Sequence, residues 1–394
     1  MNISDFAMII VDDTPTIEEE QLCGDSETYT LWRFVFLLVS SWIACLGVIG
    51  NVFLVYLFST RHYPNTPPTL YPGVLAVLDA LICAMYILLF GADAAIGFLH
   101  FERLFVIYHI YIVPAFVIAK ITQLAIPYML IFATLERFVW IVGAKRNKII
   151  RAMYSPQGRQ ITMIMSLVIC VLLRLPTFWA ITVYEFPDCP DFFRTQVASA
   201  APWVGDSLIF HIYDFHLLSI TQTFVPFVVL LTFNFVIVKR LCSIEIDGPD
   251  SEKRMSMEYT TGMTLKPTED SEISRRASTT SVLLSKRRMN PAVKSAIYTM
   301  VAIVTSYLVS NTLHLILTAL ERSNSALLRH PSDPSLASTF HTAFSDTVSF
   351  VYMFTSAIRL VIYYFCNAAI RDDVNAFLRD FFRRGEKEAE ITHI

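Results

Sequence analysis

The chain has 394 residues, 54% of them hydrophobic and only 16% charged, and a formal net charge of −3. About a quarter of the residues of a soluble globular domain are charged, so this composition excludes an ordinary water-soluble protein and indicates lipid as the solvent. We therefore expect membrane lipid as a partner and do not expect nucleic acid.

The apolar residues fall in seven blocks, each near the length of about 20 residues that crosses a bilayer as a helix. The blocks are roughly 31–58, 70–97, 104–140, 160–182, 211–240, 295–320 and 339–366. Prolines within them (Pro114, Pro127, Pro176 and Pro226) are tolerated in membrane helices. The sequence therefore predicts an all-α membrane protein, a seven-transmembrane helix bundle.

Charge predicts the orientation of the chain. Residues 1–30 contain acidic side chains but no Lys or Arg, whereas the loop after the third block is basic and contains no acid. Because basic loops stay in the cytoplasm, we predict that the acidic N-terminus, residues 1–30, is extracellular. The expected location of the protein is the plasma membrane. No cleavable signal peptide is recognised, so the first block is expected to act as a signal-anchor. Asn2, in an Asn-Ile-Ser sequence, is a glycosylation candidate.

Cysteine placement suggests one bond. Of the seven cysteines, only Cys23 and Cys189 fall on the predicted outer side, where disulfides persist. We hypothesise that these two cysteines pair. Two free thiols are the alternative.

Ionisable groups at membrane depth are costly and are functional candidates. Asp79 lies in the second block and Arg359 near the inner end of the seventh. Together they would neutralise each other, and with Asn51 they form a predicted intramembrane polar core. In the alternative, Arg359 extends to the inner headgroups and Asp79 stays protonated.

A second polar set is a candidate ligand site. Lys120 and Gln123 share one face of the third block, since they lie one helical turn apart. With Asp93 and His314 they are predicted to line an outward-facing cavity. Alternatively, these side chains only hold helices together.

The remaining polar segments are assigned to the cytoplasm. A disordered loop is predicted at about 242–292, inserted in a domain over 31–368, and Ser278 follows an Arg-Arg-Ala sequence typical of a phosphorylation site. Residues 369–394 are predicted to form a short amphipathic C-terminal helix and tail. Its apolar side carries Phe377, Leu378, Phe381 and Phe382.

Landmarks along the chain carry a family resemblance, from about residue 33 to 384. They are Asn51 in Gly50-Asn51-Val52, Asp79 after Leu75-Ala76-Val77-Leu78, Glu136-Arg137-Phe138, Pro226 and Tyr363. In order and spacing the chain resembles the rhodopsin-like G-protein-coupled receptors. The resemblance implies coupling to a heterotrimeric G protein through Glu136, Arg137, Phe138 and Tyr363. The resemblance also implies that Glu136 holds Arg137 in an inactive state, until a ligand on the outer side shifts the population toward the active state.

Departures from the family pattern matter as much. Ile112 replaces the cysteine at the outer end of the third helix, which leaves Cys23 as the partner for Cys189. Asn311 replaces a tryptophan in the sixth helix, which is similar to invertebrate neuropeptide receptors of the FMRFamide type. Arg359 replaces the asparagine that helps Asp79 bind sodium in the family, and it would stand in for that ion.

The ligand is expected to be a peptide. Ala119 occupies the position of the aspartate found in amine receptors, and the acidic outer surface would attract a cationic peptide. A chemosensory receptor for a small molecule is the alternative, and a transporter is less favoured. No motif for catalysis is recognised, so neither enzyme activity nor a cofactor or metal is expected.

Overall fold

The computed structural model describes residues 23–24, 29–60, 69–142, 152–240, 291–323, 326–328 and 338–392. Asn2, Ser278 and nearly all of the predicted cytoplasmic loop at 242–292 lie outside these residues. The same is true of the side chains of Phe381 and Phe382. Their predicted roles stay predictions.

Long apolar helices dominate the described residues. They are α1 (Leu31–Thr60), α2 (Leu70–Leu99), α3 (Glu102–Val142), α4 (Pro156–Arg174), α5 (Leu208–Arg240) and α6 (Pro291–Arg322). All six include a stretch long and apolar enough to cross a membrane. A seventh span exists if α7 (Thr339–Ala357) and α8 (Arg359–Cys366), which meet at a bend of 42°, cross together. The chain is thus a multi-pass helical membrane protein.

A last helix, α9 (Ala368–Thr392), begins one residue before the predicted amphipathic segment. Its Phe377 ring lies 4.8 Å from the ring of Phe53 and 6.2 Å from that of Tyr56, both on α1. This contact fastens α9 to the end of the first helix. Phe377 and Leu378 remain substantially exposed. That this apolar face lies in the membrane interface stays a prediction.

The prediction for the fourth block was wrong at its end. The block was extended to residue 182 through Pro176, but α4 ends at Arg174 and continues only as a 3₁₀ turn, Leu175–Phe178. Proline has no backbone N–H to donate and its ring opposes a further α-helical turn. By contrast, Pro114 and Pro127 do lie inside α3, as predicted.

A β-hairpin follows this turn, which the sequence analysis did not predict. Strand β1 (Ile181–Glu185) pairs antiparallel with β2 (Gln196–Ala200). Ile181, Ala198 and Ala200 are buried with Phe116 of α3. We call this end of the bundle the hairpin end and the opposite end, where α3 carries Arg137, the Arg137 end.

The core of the bundle lies between α1, α2, α3, α6 and α7. Leu54, Leu75, Leu124, Leu130 and Val304 are fully buried in it. Large apolar side chains on the outside of the bundle remain exposed and mark the surface that faces lipid in a spanning protein.

Candidate functional site: a buried charge axis through the bundle

Asp79 and Arg359 meet in the middle of the bundle. The Arg359 Nε atom lies 2.9 Å from Asp79 Oδ2, and both side chains are buried, at 3% and 0% exposed. Two opposite charges in contact offset part of the cost of removing each from water. The alternative in which Arg359 extends toward headgroups does not describe this arrangement.

The bend between α7 and α8 places Arg359 there. Asn51 of α1 donates its amide to the backbone carbonyls of Ser356, at 3.0 Å, and Gly47, at 2.9 Å. In an unbroken α-helix the Ser356 carbonyl would instead accept from the backbone N–H four residues later. Asn51 therefore satisfies a carbonyl at the bend, and Arg359 is the first helical residue beyond it.

Close approach of α1, α2 and α7 depends on Gly47. A Cβ atom at Gly47 would lie 2.7 Å from the Ala357 Cβ and 2.8 Å from the Cys83 Sγ. Real Cβ atoms do not sustain contacts this short, so any larger residue here would require a helix to shift. Small residues at such crossings let membrane helices pack backbone to backbone.

At the Arg137 end, a second ion pair lies beside the predicted coupling residues, with its glutamate side chain buried and its arginine side chain 20% exposed. Glu136 is fully buried, and its Oε1 atom lies 2.8 Å from the Nε of Arg159 in the first turn of α4. Arg137 is 3% exposed. From sequence, the segment that contains Arg159 was described only as a basic loop, and its contact with Glu136 was not predicted.

The start of α4 holds Arg159 in position. Ser155 caps the helix, since its hydroxyl accepts from the Gly158 N–H at 3.0 Å. Tyr154, just before the cap, donates its hydroxyl to the Phe132 carbonyl of α3 at 3.4 Å. Burial raises the pKa of Tyr154, so its hydroxyl stays a donor at neutral pH.

The other two predicted coupling residues also lie at this end. Phe138 is half-buried, with its ring 5.6 Å from that of Phe233 on α5. Tyr363 is buried, with its ring 5.3 Å from that of Phe58 on α1. Tyr363 and Arg137 are near enough to interact electrostatically. Helices α1, α3, α5 and α8 thus all contribute side chains to this end of the bundle.

At the hairpin end, Cys23 and Cys189 form a disulfide with their Cα atoms 4.9 Å apart. Next to it, the Gly24 N–H donates to the Arg194 carbonyl at 3.1 Å, and Arg194 Nε donates to the Gly24 carbonyl at 2.7 Å. A Cβ atom at Gly24 would lie 2.2 Å from Val197. The bond and these contacts fasten the segment before α1 to the hairpin.

The four predicted ligand residues have separate described contacts. Asp93 accepts a hydrogen bond from Tyr29, and the buried Lys120 has its Nζ 5.0 Å from the centre of the Phe116 ring. At Gln123, the backbone carbonyl accepts from the Tyr352 hydroxyl. His314 is half-buried on α6. These described contacts do not assemble the four into one pocket, and their role as ligand residues stays a prediction.

Further charged contacts near the hairpin end were not predicted from sequence. Arg33 of α1 pairs with Asp346 of α7 at 2.8 Å. Buried Arg174 of α4 donates to Gln222 and lies 3.6 Å from Asp214, both on α5. The only sequence signal for these contacts was the presence of charge within apolar blocks.

Asp214 and Gln222 fall in two π-helical segments, Ile212–Leu218 and Ile220–Phe224. Such segments are rare and often occur where a helix meets a functional or polar partner.

Among the described residues, no group of three or more His, Cys, Asp and Glu side chains could hold a metal ion. No family model matches the chain, and none of the curated proteins compared with it does.

Proposed function

We propose that the chain is a receptor of the rhodopsin-like G-protein-coupled class. In this proposal α7 and α8 form one span, which makes a seven-helix bundle in the plasma membrane with the N-terminus outside. An extracellular peptide of basic character is the ligand, and a heterotrimeric G protein binds at the Arg137 end.

The observation that carries the proposal is the environment of Arg137. A buried arginine at the end of a spanning helix, beside a buried glutamate, is costly and needs a reason to be kept. Here Glu136 has a second cation, Arg159, at 2.8 Å. Because Arg159 shares the charge of Glu136, it weakens the hold of Glu136 on Arg137 and makes release of Arg137 possible.

The disulfide supports the orientation. Disulfides persist in oxidising compartments and are rare in the cytosol. The Cys23–Cys189 bond lies at the hairpin end, which supports the proposed orientation, with this end outside and the Arg137 end in the cytoplasm. This agrees with the basic loop that the positive-inside rule assigns to the inner side.

The test is nucleotide exchange on a panel of G proteins, in membranes that hold the protein, with and without a library of amidated peptides. We expect peptide-dependent exchange that disappears in Arg137→Ala and persists in Arg103→Ala. Arg103 is the matched control because it is an exposed arginine at the other end of the same helix. Arg159→Gln is expected to lower ligand-independent exchange, since Glu136 would then hold Arg137 more tightly.

Absence of exchange with every peptide and G protein, at normal surface expression, would contradict a peptide-gated receptor. Exchange that persists in Arg137→Ala would contradict the role given to this arginine. Exchange driven only by small molecules would favour the chemosensory alternative.

A further inference from the structure

Four side chains from three helices and the preceding segment form a charged cluster near the hairpin end, here called the Tyr29 cluster: Tyr29, Arg33, Asp93 and Asp346. The Arg33 Nε atom lies 2.8 Å from Asp346 Oδ2, and the Asp346 side chain is only 8% exposed. The Arg33 guanidinium carbon lies 4.5 Å from the centre of the Tyr29 ring. The Tyr29 hydroxyl donates to Asp93 Oδ2 on α2.

This geometry is the one that recognises a guanidinium. A carboxylate supplies the ion pair, and the face of an aromatic ring supplies a cation–π contact to the same group. Arg33 makes both contacts, so the cluster demonstrably accepts a guanidinium. Its side chain is 20% exposed, so it can leave toward water more cheaply than the deeply buried Asp346 can move.

Gly97 of α2 leaves the space that the Tyr29 ring occupies. A Cβ atom at Gly97 would lie 2.3 Å from Tyr29 Cδ2 and 2.5 Å from Cε2. The ring therefore lies directly on the backbone of α2, where a larger residue would displace it. The position of the aromatic face is thus built into the fold.

We propose that Asp346 and Tyr29 bind a guanidinium of the ligand, and that Arg33 is the chain's own competitor for this site. The proposal rests on the proposed function for the existence of an extracellular ligand and names the ligand group that the site takes. When a ligand guanidinium replaces Arg33, the ion pair between α1 and α7 is exchanged for one between ligand and α7. Because α7 leads through the bend directly into α8, ligand binding acts on the helix next to Arg359 of the central ion pair.

The experiment measures direct binding to the purified full chain in lipid nanodiscs, without G protein. The probes are a fluorescent Arg-Phe-amide peptide and its citrulline counterpart, which has nearly the same shape and no charge. We expect the arginine peptide to bind more tightly than the citrulline peptide. Arg33→Gln should tighten arginine-peptide binding about twofold to fivefold, because a partly exposed competing ion pair is removed.

Asp346→Asn should abolish the preference for arginine over citrulline. Arg103→Gln and Asp206→Asn are the matched controls, since both residues are exposed and lie toward the hairpin end. Gly97→Ala should also reduce the preference by displacing the Tyr29 ring. Gly73→Ala in the same helix should not, since a Cβ there would make only an ordinary contact, 3.7 Å from Phe58.

The sign of the Arg33→Gln effect separates this proposal from a purely structural ion pair. If Arg33 only supports the fold, its removal weakens binding or leaves it unchanged, and the proposal is overturned. It is also overturned if both peptides bind equally or neither binds at any concentration used. Arginine-selective binding without nucleotide exchange would support the site and contradict signalling, whereas exchange driven by peptides without arginine preference would do the reverse.

Discussion

Removal of Arg359 is expected to leave a buried charge without its partner. In Arg359→Gln, Asp79 keeps its position at 0% exposure but loses the guanidinium that lies 2.9 Å away. Breaking a buried pair from one side costs about 3–5 kcal/mol, because the remaining charge is desolvated and uncompensated. Asp79→Asn strands Arg359 in the same way and should cost a similar amount.

The double variant decides whether this cost comes from the pair. Asp79→Asn combined with Arg359→Gln leaves two neutral amides, so its loss should be smaller than the sum of the single losses by about 2 kcal/mol or more. At an unfolding entropy of about 2.1 cal/mol/K per residue, a chain of 394 residues shifts by roughly 1.2 °C per kcal/mol, so each single variant should melt about 4–6 °C lower. The assay is thermal unfolding of the purified protein in nanodiscs at one scan rate, because unfolding of such proteins is often irreversible.

Arg371→Gln is the matched control, since Arg371 is an exposed arginine on α9 and should change stability by no more than about 0.5 kcal/mol. Additive losses in the double variant would refute the coupling. A loss in Arg359→Gln no larger than in the control would refute the argument that this arginine compensates Asp79.

Three further outcomes follow from contacts elsewhere in the structure. Gly47→Ala should destabilise the protein by about 1–3 kcal/mol in the same melting assay, because its Cβ would meet Ala357 at 2.7 Å. The control Gly205→Ala, which has nothing within 4 Å, should be near neutral. Equal effects of the two variants would contradict the close helix crossing. Reduction should add two hydrogen masses to the intact protein at Cys23 and Cys189, and Cys23→Ser should cost about 2–4 kcal/mol, a loss that an unbonded pair would not show. Arg174→Met should lower the melting temperature, since it leaves Asp214 without a cation 3.6 Å away, and an unchanged midpoint would show that this contact contributes nothing.

Much of the helical layout was accessible from sequence. The predicted starts of the first, second and seventh blocks coincide with those of α1, α2 and α7, because apolar length alone sets what can cross a bilayer. The hairpin was missed, although residues 181–185 are rich in β-branched and aromatic side chains and are followed by a Pro- and Asp-rich turn. This pattern is typical of a strand. The fourth block was therefore extended too far.

The residues of the candidate site were likewise predicted from sequence only in part. Asp79, Arg359 and Glu136 were singled out by sequence, since charge within an apolar block needs no partner to be noticed. Arg159 was not, because it lies in a basic loop region where an arginine needs no explanation.

The sequence by itself determined which segments are apolar enough to span a membrane and which of their residues carry charge, because both are local properties of composition. Only the tertiary structure decided which charges meet. Arg33 and Asp346 lie 313 residues apart in the chain. Their contact exists because α1 and α7 pack side by side, and neither hydropathy nor periodicity within a segment contains that information. At the bend before Arg359, likewise, the Ser356 carbonyl accepts a hydrogen bond from Asn51, a side chain from another helix that the sequence of α7 does not reveal.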